Sequence, residues 1–394
     1  MESKKKGVLM IMSNANGWRN PNVFGGAEIK TSSIINEIKE VNWYVILTYQ
    51  LHKSFSKRFS APQIHYLPIK RLFLTTDVIK DLLQGLIYTG KCVVVGFKNR
   101  AKFDLIYSAT TNFSDIFPST IISFITKKPY ITKYNISIYD EPKVLRIYRN
   151  FREEKNTRLD SFIRAVLARL TIIFLKHAKK NLVVCKYLGK QLEKCRIKKN
   201  KIGLNYNGLN YQILEKFRVK NIEKKFDICF IGRIEKNKGL EDLIDVIKDL
   251  KTKKKDISAV IIGDGVFFEE LNKKILKENL EKNIFVKGFL GVERFLLLQQ
   301  SSIFVLPTYA KEGFGLTLLE ALFYNVPIIA YTHPVFEEVF GHYKAVKLIN
   351  QDKTLLQDNI IKTLEKKTTY SSDLDIYSLD NCVKREKEIL FEII

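Results

Sequence analysis

Two glutamates eight residues apart, Glu312 and Glu320, lie in the stretch Ile303 to Ala330, IFVLPTYAKEGFGLTLLEALFYNVPIIA. An apolar run, Ile303 to Leu306, predicts a buried strand that Pro307 ends. A polar loop follows, carrying Glu312-Gly313-Phe314-Gly315. A short helix from Leu316 or Thr317 to about Asn325 comes next, then Pro327 and a strand from Ile328 to Ala330. Strand, glycine loop and helix in that order aim free backbone N–H groups and a helix dipole at an anion. Glu312 in the loop and Glu320 one turn into the helix place a carboxylate on each side of a bound phosphate, ready to accept from hydroxyls. The ligand described has phosphate in the middle and sugars at both ends, as a nucleotide sugar does. Spacing alone carries little weight in a chain with 27% charged residues; the setting between two apolar strands gives it meaning. Arg233 and Lys238 add to it. They flank a loop after the strand Asp227 to Ile231, on the sheet edge that carries Glu312. There they can offset the charge that grows on a departing diphosphate.

The elements that must position these groups are legible in outline. At 394 residues the chain suits two domains, and 46% hydrophobic with 12% aromatic residues excludes a disordered chain. Val8 to Met12, Trp43 to Thr48, Ile64 to Leu67, Leu105 to Ser108, Tyr130 to Lys133 and Asn181 to Cys185 predict strands in the first half. A helix is expected over Val78 to Tyr88 with Ile79, Leu82, Leu83 and Leu86 inward, and another over Lys186 to Cys195. The second half alternates strand and helix from Asp227 to Ile349, which predicts a parallel, doubly wound sheet with its ligand at the strands' C-terminal ends. Five cysteines without a C-x-x-C pair read as buried thiols in a reducing compartment, with no metal site. Val8 to Met12 is too short for a signal-peptide core, and no apolar run reaches the ~20 residues of a membrane span. These features predict a soluble, cytoplasmic protein.

The net charge of +24 is uneven. Residues 1–206 hold 37 Lys and Arg against 14 Asp and Glu, a net of +23, whereas residues 207–394 hold 29 against 28, a net of +1. A lysine-rich composition would raise both halves alike. Charge of this sign on one half implies a polyanionic neighbour: an anionic bilayer face, nucleic acid or an acidic substrate. The expected helix Arg158 to Lys180 combines apolar positions (Phe162, Val166, Leu170, Ile173, Leu175) with Arg158, Arg164, Arg169, Lys176, Lys179 and Lys180, a mixture that suits a membrane interface.

The stretch EGFGLTLLE resembles the E-x7-E signature of the retaining family-4 glycosyltransferases with the GT-B fold. The resemblance runs from 227 to 330, has a second patch at 200–210, and is thin in the first 200 residues apart from Gly25-Gly26. It implies that Glu312 meets the donor sugar and that the backbone of Gly313, Phe314, Gly315, Leu316 and Thr317 meets its hydroxyls and phosphate. Glu320 would hold the ribose. Gly232-Arg233 and Lys238-Gly239 match the family's G-R and K-G, which assigns Arg233 and Lys238 to the donor diphosphate. Gly288 would face the nucleotide base, and Gly25-Gly26 would be the first domain's loop toward the diphosphate. The run Lys201 to Asn210 resembles the turn that closes the family's first domain, with Tyr206 where the family has proline. Two departures stand out. The family's glycines before Glu337 are absent, and no histidine lies between His65 and His177, where the family has one that reaches the donor sugar. Thr111 and Asn112, or else Tyr134 and Asn135, occupy the strand end where it is expected.

The expected architecture is therefore α/β, of the GT-B kind, with two Rossmann-like doubly wound domains facing each other across a cleft. Residues 1–206 form a basic, acceptor-binding domain and 207–225 a linker. Residues 226–376 form the donor domain, and 377–394 a closing helix that crosses back. The expected activity is retaining transfer of a hexosyl group from a nucleotide-diphosphate sugar, without a tightly bound cofactor or a metal. The acceptor expected is a lipid-linked glycan or glycolipid at the cytoplasmic membrane face. Two alternatives remain: another polyanionic acceptor such as modified DNA, and a non-catalytic nucleotide-sugar-binding protein.

Overall fold

Short apolar runs become the strands. Gly7–Met12 is buried along its whole length as β1, and it sits at the centre of a parallel sheet with β2 (Asn42–Thr48), β3 (Ile64–Ile69), β4 (Leu105–Ser108), β5 (Tyr130–Tyr134), β6 (Lys180–Val183) and β7 (Ile202–Leu204). The computed structural model describes residues 5–13, 26–70, 78–135, 158–253, 256–366, 370 and 372–394. Among them the first sheet runs β3-β2-β1-β4-β5-β6-β7, every pair parallel. Parallel neighbours need crossovers, supplied here by α1 (Gly26–Glu37), α2 (Tyr49–Arg58), α3 (Val78–Lys98), α4 (Phe113–Thr126), α5 (Arg158–His177) and α6 (Lys186–Lys194). The second sheet runs β10-β9-β8-β11-β12-β13, from Ile284–Val286, Ala259–Ile262, Phe226–Ile231, Ser301–Leu306, Ile328–Tyr331 and Val346–Ile349, and it too is parallel. Its helices are α7 (Tyr211–Lys216), α8 (Leu240–Lys253), α9 (Phe268–Lys277), α10 (Arg294–Gln299), α11 (Leu316–Phe323), α12 (Pro334–Phe340) and α13 (Lys353–Glu365), and α14 (Leu379–Phe391) closes the chain.

Packing divides the chain into one unit of Met1–Asn207 with Asp380–Ile394 and a second of Gly208–Leu379. The stretch expected as a linker holds α7. Asn210 caps it by accepting from the Ile213 amide at 3.0 Å, and Tyr324 of the second unit donates to the Leu214 carbonyl at 2.8 Å.

Several elements differ from expectation. Helix α3 continues to Lys98, and its buried side is Gln84, Tyr88, Cys92 and Gly96, so Leu83 and Leu86 face outward rather than inward. Gly96 packs against α4, where a Cβ would lie 2.7 Å from the tip of the Ile122 side chain. Helix α4 carries Pro118 at its sixth position, beyond the first turn, where proline removes one backbone bond. Strand β6 begins one residue early and stops at Val183. Asn112 precedes α4 and accepts at its backbone carbonyl from the Ile116 amide at 3.0 Å, and Tyr134 and Asn135 end and follow β5.

A charged network joins α14 to the first sheet. Lys133 on β5 pairs with Glu386 at 3.1 Å, both side chains almost fully enclosed. Tyr107 donates to the same carboxylate, as does Asn205 at 2.6 Å, and Lys30 on α1 donates to the Tyr206 carbonyl at 2.7 Å. Burial pushes the Glu386 carboxyl up, but Lys133 and Lys30 outweigh it and hold it below the usual range. Burial, then the neighbouring charge of Lys133, pulls the Lys30 ammonium down to about 7. Removing the carboxylate strands a buried ammonium, so Glu386→Ala is expected to lose about 3–5 kcal/mol in denaturant melts. The pH dependence has a definite sign. Lys30 binds its proton less tightly folded than unfolded, so its contribution to stability rises with pH between about 7 and its unfolded value near 10.5. The limiting slope is about 1.4 kcal/mol per pH unit. Melts at pH 7, 8 and 9 should show this gain in the parent and not in Lys30→Met.

Candidate functional site

The second unit gathers its glycine loops at the C-terminal ends of β8 to β11, as a doubly wound sheet does with a ligand site. Gly232 follows β8 and donates to the Ile262 carbonyl at 3.0 Å; beyond β9, Gly263 donates to the Gly288 carbonyl at 2.8 Å. Gly288, at a φ of 67°, thus lies two strand ends away from Gly232.

Lys238 ends a single turn, Lys236–Lys238, after β8, and Gly239 follows it with a φ of 70°. A Cβ on Gly239 would lie 1.7 Å from the Pro307 carbonyl oxygen, so only glycine lets this loop touch the end of β11. The amides of Tyr309 and Ala310 donate to the Asn237 carbonyl at 2.8 and 3.0 Å, stitching the two loops together. The Lys238 ammonium then meets Glu312 at 2.6 Å, with both side chains largely enclosed, and Thr308 donates to the same carboxylate oxygen at 3.3 Å. Two residues 74 apart in sequence form one charged pair at the strand ends. His333 supports the loop from behind: the amides of Glu312 and Val335 point at its two ring nitrogens, each at 3.2 Å. A neutral imidazole has one lone pair to offer, so it accepts from one amide at a time. Tyr331 and Tyr309 both donate to Asp242 of α8, tying the loop after β11 to the helix that follows Lys238.

Gly315 caps α11 with a φ of 97°, and a Cβ there would lie 2.8 Å from the Phe336 ring. Phe314 turns its ring away from the loop, into the core against Phe340 and Tyr377 with centroids 5.9 and 5.7 Å apart. What the loop can offer a ligand is therefore backbone from Gly313 to Gly315 and the first turn of α11, where Leu316 and Thr317 are half-buried. Glu320, only 5% exposed, is gripped by the Arg294 guanidinium in a two-toothed pair at 2.7 and 3.2 Å. Arg294 in turn donates to the Gly291 carbonyl at 2.7 Å.

The sequence-predicted cations part company. Lys238 joins Glu312, whereas Arg233 is 64% exposed and pairs with Glu235 at 2.6 Å. Gly26 opens α1 in the first unit, and Gly25 lies outside the described residues. Arg294, His333 and Asp242 escaped sequence reasoning. Arg294 sits on a six-residue helix without periodicity, and its partner lies 26 residues away. Among the described residues no three His, Cys, Asp or Glu side chains group as a metal site would require, and no helix is long and apolar enough to cross a membrane.

Residues 212–377 match the family model of glycosyl transferases group 1. That segment carries every feature of the site just described. An uncharacterized glycosyltransferase of Methanocaldococcus jannaschii, MJ1069, is 25% identical over 277 residues, 67% of this chain and 66% of its own length. A Campylobacter jejuni enzyme named N-acetylgalactosamine-N,N'-diacetylbacillosaminyl-diphospho-undecaprenol 4-alpha-N-acetylgalactosaminyltransferase is 27% identical over 246 residues, 60% of this chain and 63% of its own. In each the match spans less than two thirds of the relative's length. The crystal structure of Anabaena Alr3699/HepE in complex with UDP and glucose superposes with a TM-score of 0.72 at 16% identity, covering 98% of this chain and 99% of that one. The chain thus has the GT-B fold, a pair of parallel α/β domains.

The contact at Gly239 yields a direct test. Gly239→Ala forces a methyl into the Pro307 carbonyl at a left-handed φ. The second unit should lose about 2 kcal/mol or more, with a melting midpoint lower by roughly 4–8 °C. Arg294→Ala, which leaves Glu320 enclosed and unpaired, should cost a similar amount.

Proposed function

We propose that this chain is a retaining glycosyltransferase that moves a hexosyl group from a nucleotide-diphosphate sugar to an acceptor hydroxyl. The observation that carries the reading is the Lys238–Glu312 pair, set beside a glycine loop and the first turn of α11 at the C-terminal edge of a parallel sheet. A diphosphate in that loop offers Lys238 a doubly charged partner in place of the single carboxylate. Glu312, released from the ammonium, turns to the sugar hydroxyls. Glu320, fixed by Arg294, presents its carboxylate to the ribose, and the loop around Gly288 borders the base. Arg233 swings from Glu235 to the phosphates.

In the transfer the bond from the anomeric carbon to the β-phosphate oxygen breaks, and the acceptor oxygen bonds to that carbon on the same face. The acceptor proton passes to the departing phosphate oxygen. Glu312 orients the sugar and forms no covalent bond to it. Lys238, Arg233 and the loop amides supply the positive charge that the leaving diphosphate requires. UDP is the first nucleotide to test, because the Anabaena neighbour was solved with UDP and glucose. A lipid-linked acceptor at the cytoplasmic face of a membrane agrees with the +23 charge of residues 1–206 and with the undecaprenol-linked substrate in the Campylobacter relative's name. Modified DNA, the other polyanionic acceptor, has no comparable support among these relatives.

The test is turnover. Release of nucleoside diphosphate from UDP-, GDP- and ADP-sugars is measured with and without polyprenyl-phosphate-linked acceptors, and the product's anomeric configuration is read by NMR. One donor should turn over with retained configuration, and Lys238→Ala should lower kcat by about 10²–10³. Inverted product would refute the retaining mechanism. Donor binding without hydrolysis or transfer would favour a binding protein that uses the same pocket.

A further inference from the structure

Two helices of the first unit, α3 and α5, carry an apolar stripe on their outer side as well as apolar residues on their buried side. Helix α3 turns Gln84, Tyr88, Thr89, Cys92 and Gly96 toward the protein and presents Leu83, Leu86, Val94 and Phe97 to the surface. Helix α5 buries Ser161, Ala165, Ala168, Thr171, Ile172 and Leu175 and presents Leu159, Phe162, Val166 and Ile173. On α5 the outward side chains recur at intervals of three, four and seven residues, and on α3 at three, eight and three, each set a single helical stripe. Between them lies α4, packed on α3 through Gly96 and Ile122 and on α5 through the stacked rings of Phe117 and Phe174, 5.5 Å apart; its exposed end carries Phe124 and Ile125. Among the described residues, ten of the twelve large apolar side chains exposed on this unit belong to these three helices. Scattered surface apolars are normal, but two parallel stripes joined by a third helix are not scattered.

Charge says what covers the face. Lys98, Arg100, Lys127 and Lys176 stand at or just beyond the C-terminal ends of the three helices, and the Arg100 guanidinium lies 4.2 Å over the Phe97 ring. Residues 158–180 hold six Lys and Arg against one Asp. A second copy of this chain would bring an equally cationic rim against this one. An anionic leaflet neutralises the rim and takes the apolar stripes into its interface.

We propose that the outward face of α3, α4 and α5 is a bilayer-docking surface that lays the first unit on an anionic membrane. This deepens the membrane part of the function proposed above and is independent of the donor chemistry. The stripes would sit at the depth of the headgroups and upper acyl chains, with the lysines and arginines among the phosphates.

Flotation with vesicles of phosphatidylglycerol and phosphatidylcholine, against vesicles of phosphatidylcholine alone, tests it on the full chain. The parent protein should float with the anionic vesicles, less so as salt rises, and only weakly with the neutral ones. Phe124→Ser with Phe162→Ser should weaken binding about tenfold even at low salt. Lys98→Gln with Lys127→Gln should weaken it roughly 25-fold at low salt, about fivefold per cation, with little effect at high salt. All four positions are outward, so melting midpoints should stay near the parent's. Failure to float with anionic vesicles overturns the proposal, as does vesicle binding that none of these substitutions alters. Sedimentation in the absence of lipid covers the competing occupant: a dimer that the phenylalanine pair dissolves would make this face a self-interface instead. Nucleotide-dependent turnover, measured in parallel, separates failure of the docking surface from failure of the transferase reading.

Discussion

The approach of Gly239 to the Pro307 carbonyl sets the geometry on which the candidate site depends. A side chain at 239 would hold the loops after β8 and β11 apart, and Lys238 would no longer reach Glu312. With the loops in contact, backbone bonds from Tyr309 and Ala310 to Asn237 and the shared acceptor Asp242 lock their register. The ion pair is thus a consequence of backbone fit rather than the cause of it. A partly enclosed pair of this kind adds little net stability, because desolvation offsets much of the attraction. Its value lies in placement: the positive charge stands at a glycine loop, held by a partner that a stronger anion can displace.

The two units handle charge in opposite ways. In the second, the enclosed pairs Lys238–Glu312 and Arg294–Glu320 lie where the ligand site is proposed. In the first, the enclosed charges bind α14 to the sheet, and Lys98, Arg100, Lys127 and Lys176 stand at the helix ends beside the apolar stripes. Among the described residues of 1–206, Lys30 and Lys133 are the buried lysines, and the Glu386 carboxylate makes their burial tolerable.

Much of the second sheet was legible in the sequence because runs such as Ile228 to Ile231, Ala259 to Ile262 and Ile303 to Leu306 are short, apolar and bounded by glycine or proline. Their order followed from strand and helix alternation. What composition and spacing left hidden were long-range partners: Arg294 for Glu320, Glu386 for Lys133, and the Pro307 carbonyl beneath Gly239. The first unit was harder to read for a physical reason. Helices α3 and α5 carry apolar side chains on both sides, so apolar type alone does not say which side of α3 is packed, and Leu83 and Leu86 face outward. The glycine at 96 and the alanines at 165 and 168 mark the packed faces, and their small size was the signal to follow.

The central claim is that the strand-end loops of the second unit bind a nucleoside diphosphate, with Glu320 on the ribose. Thermal unfolding with UDP, GDP and ADP, run on the parent and on Glu320→Ala with each compared to its own unliganded midpoint, addresses it most directly. One nucleotide at 100 times its dissociation constant should stabilise the parent by about 2.7 kcal/mol and lose most of that effect in the variant. Equal stabilisation of both proteins would remove Glu320 from the site. If none of the three shifts the parent, the strand-end loops do not bind a nucleoside diphosphate.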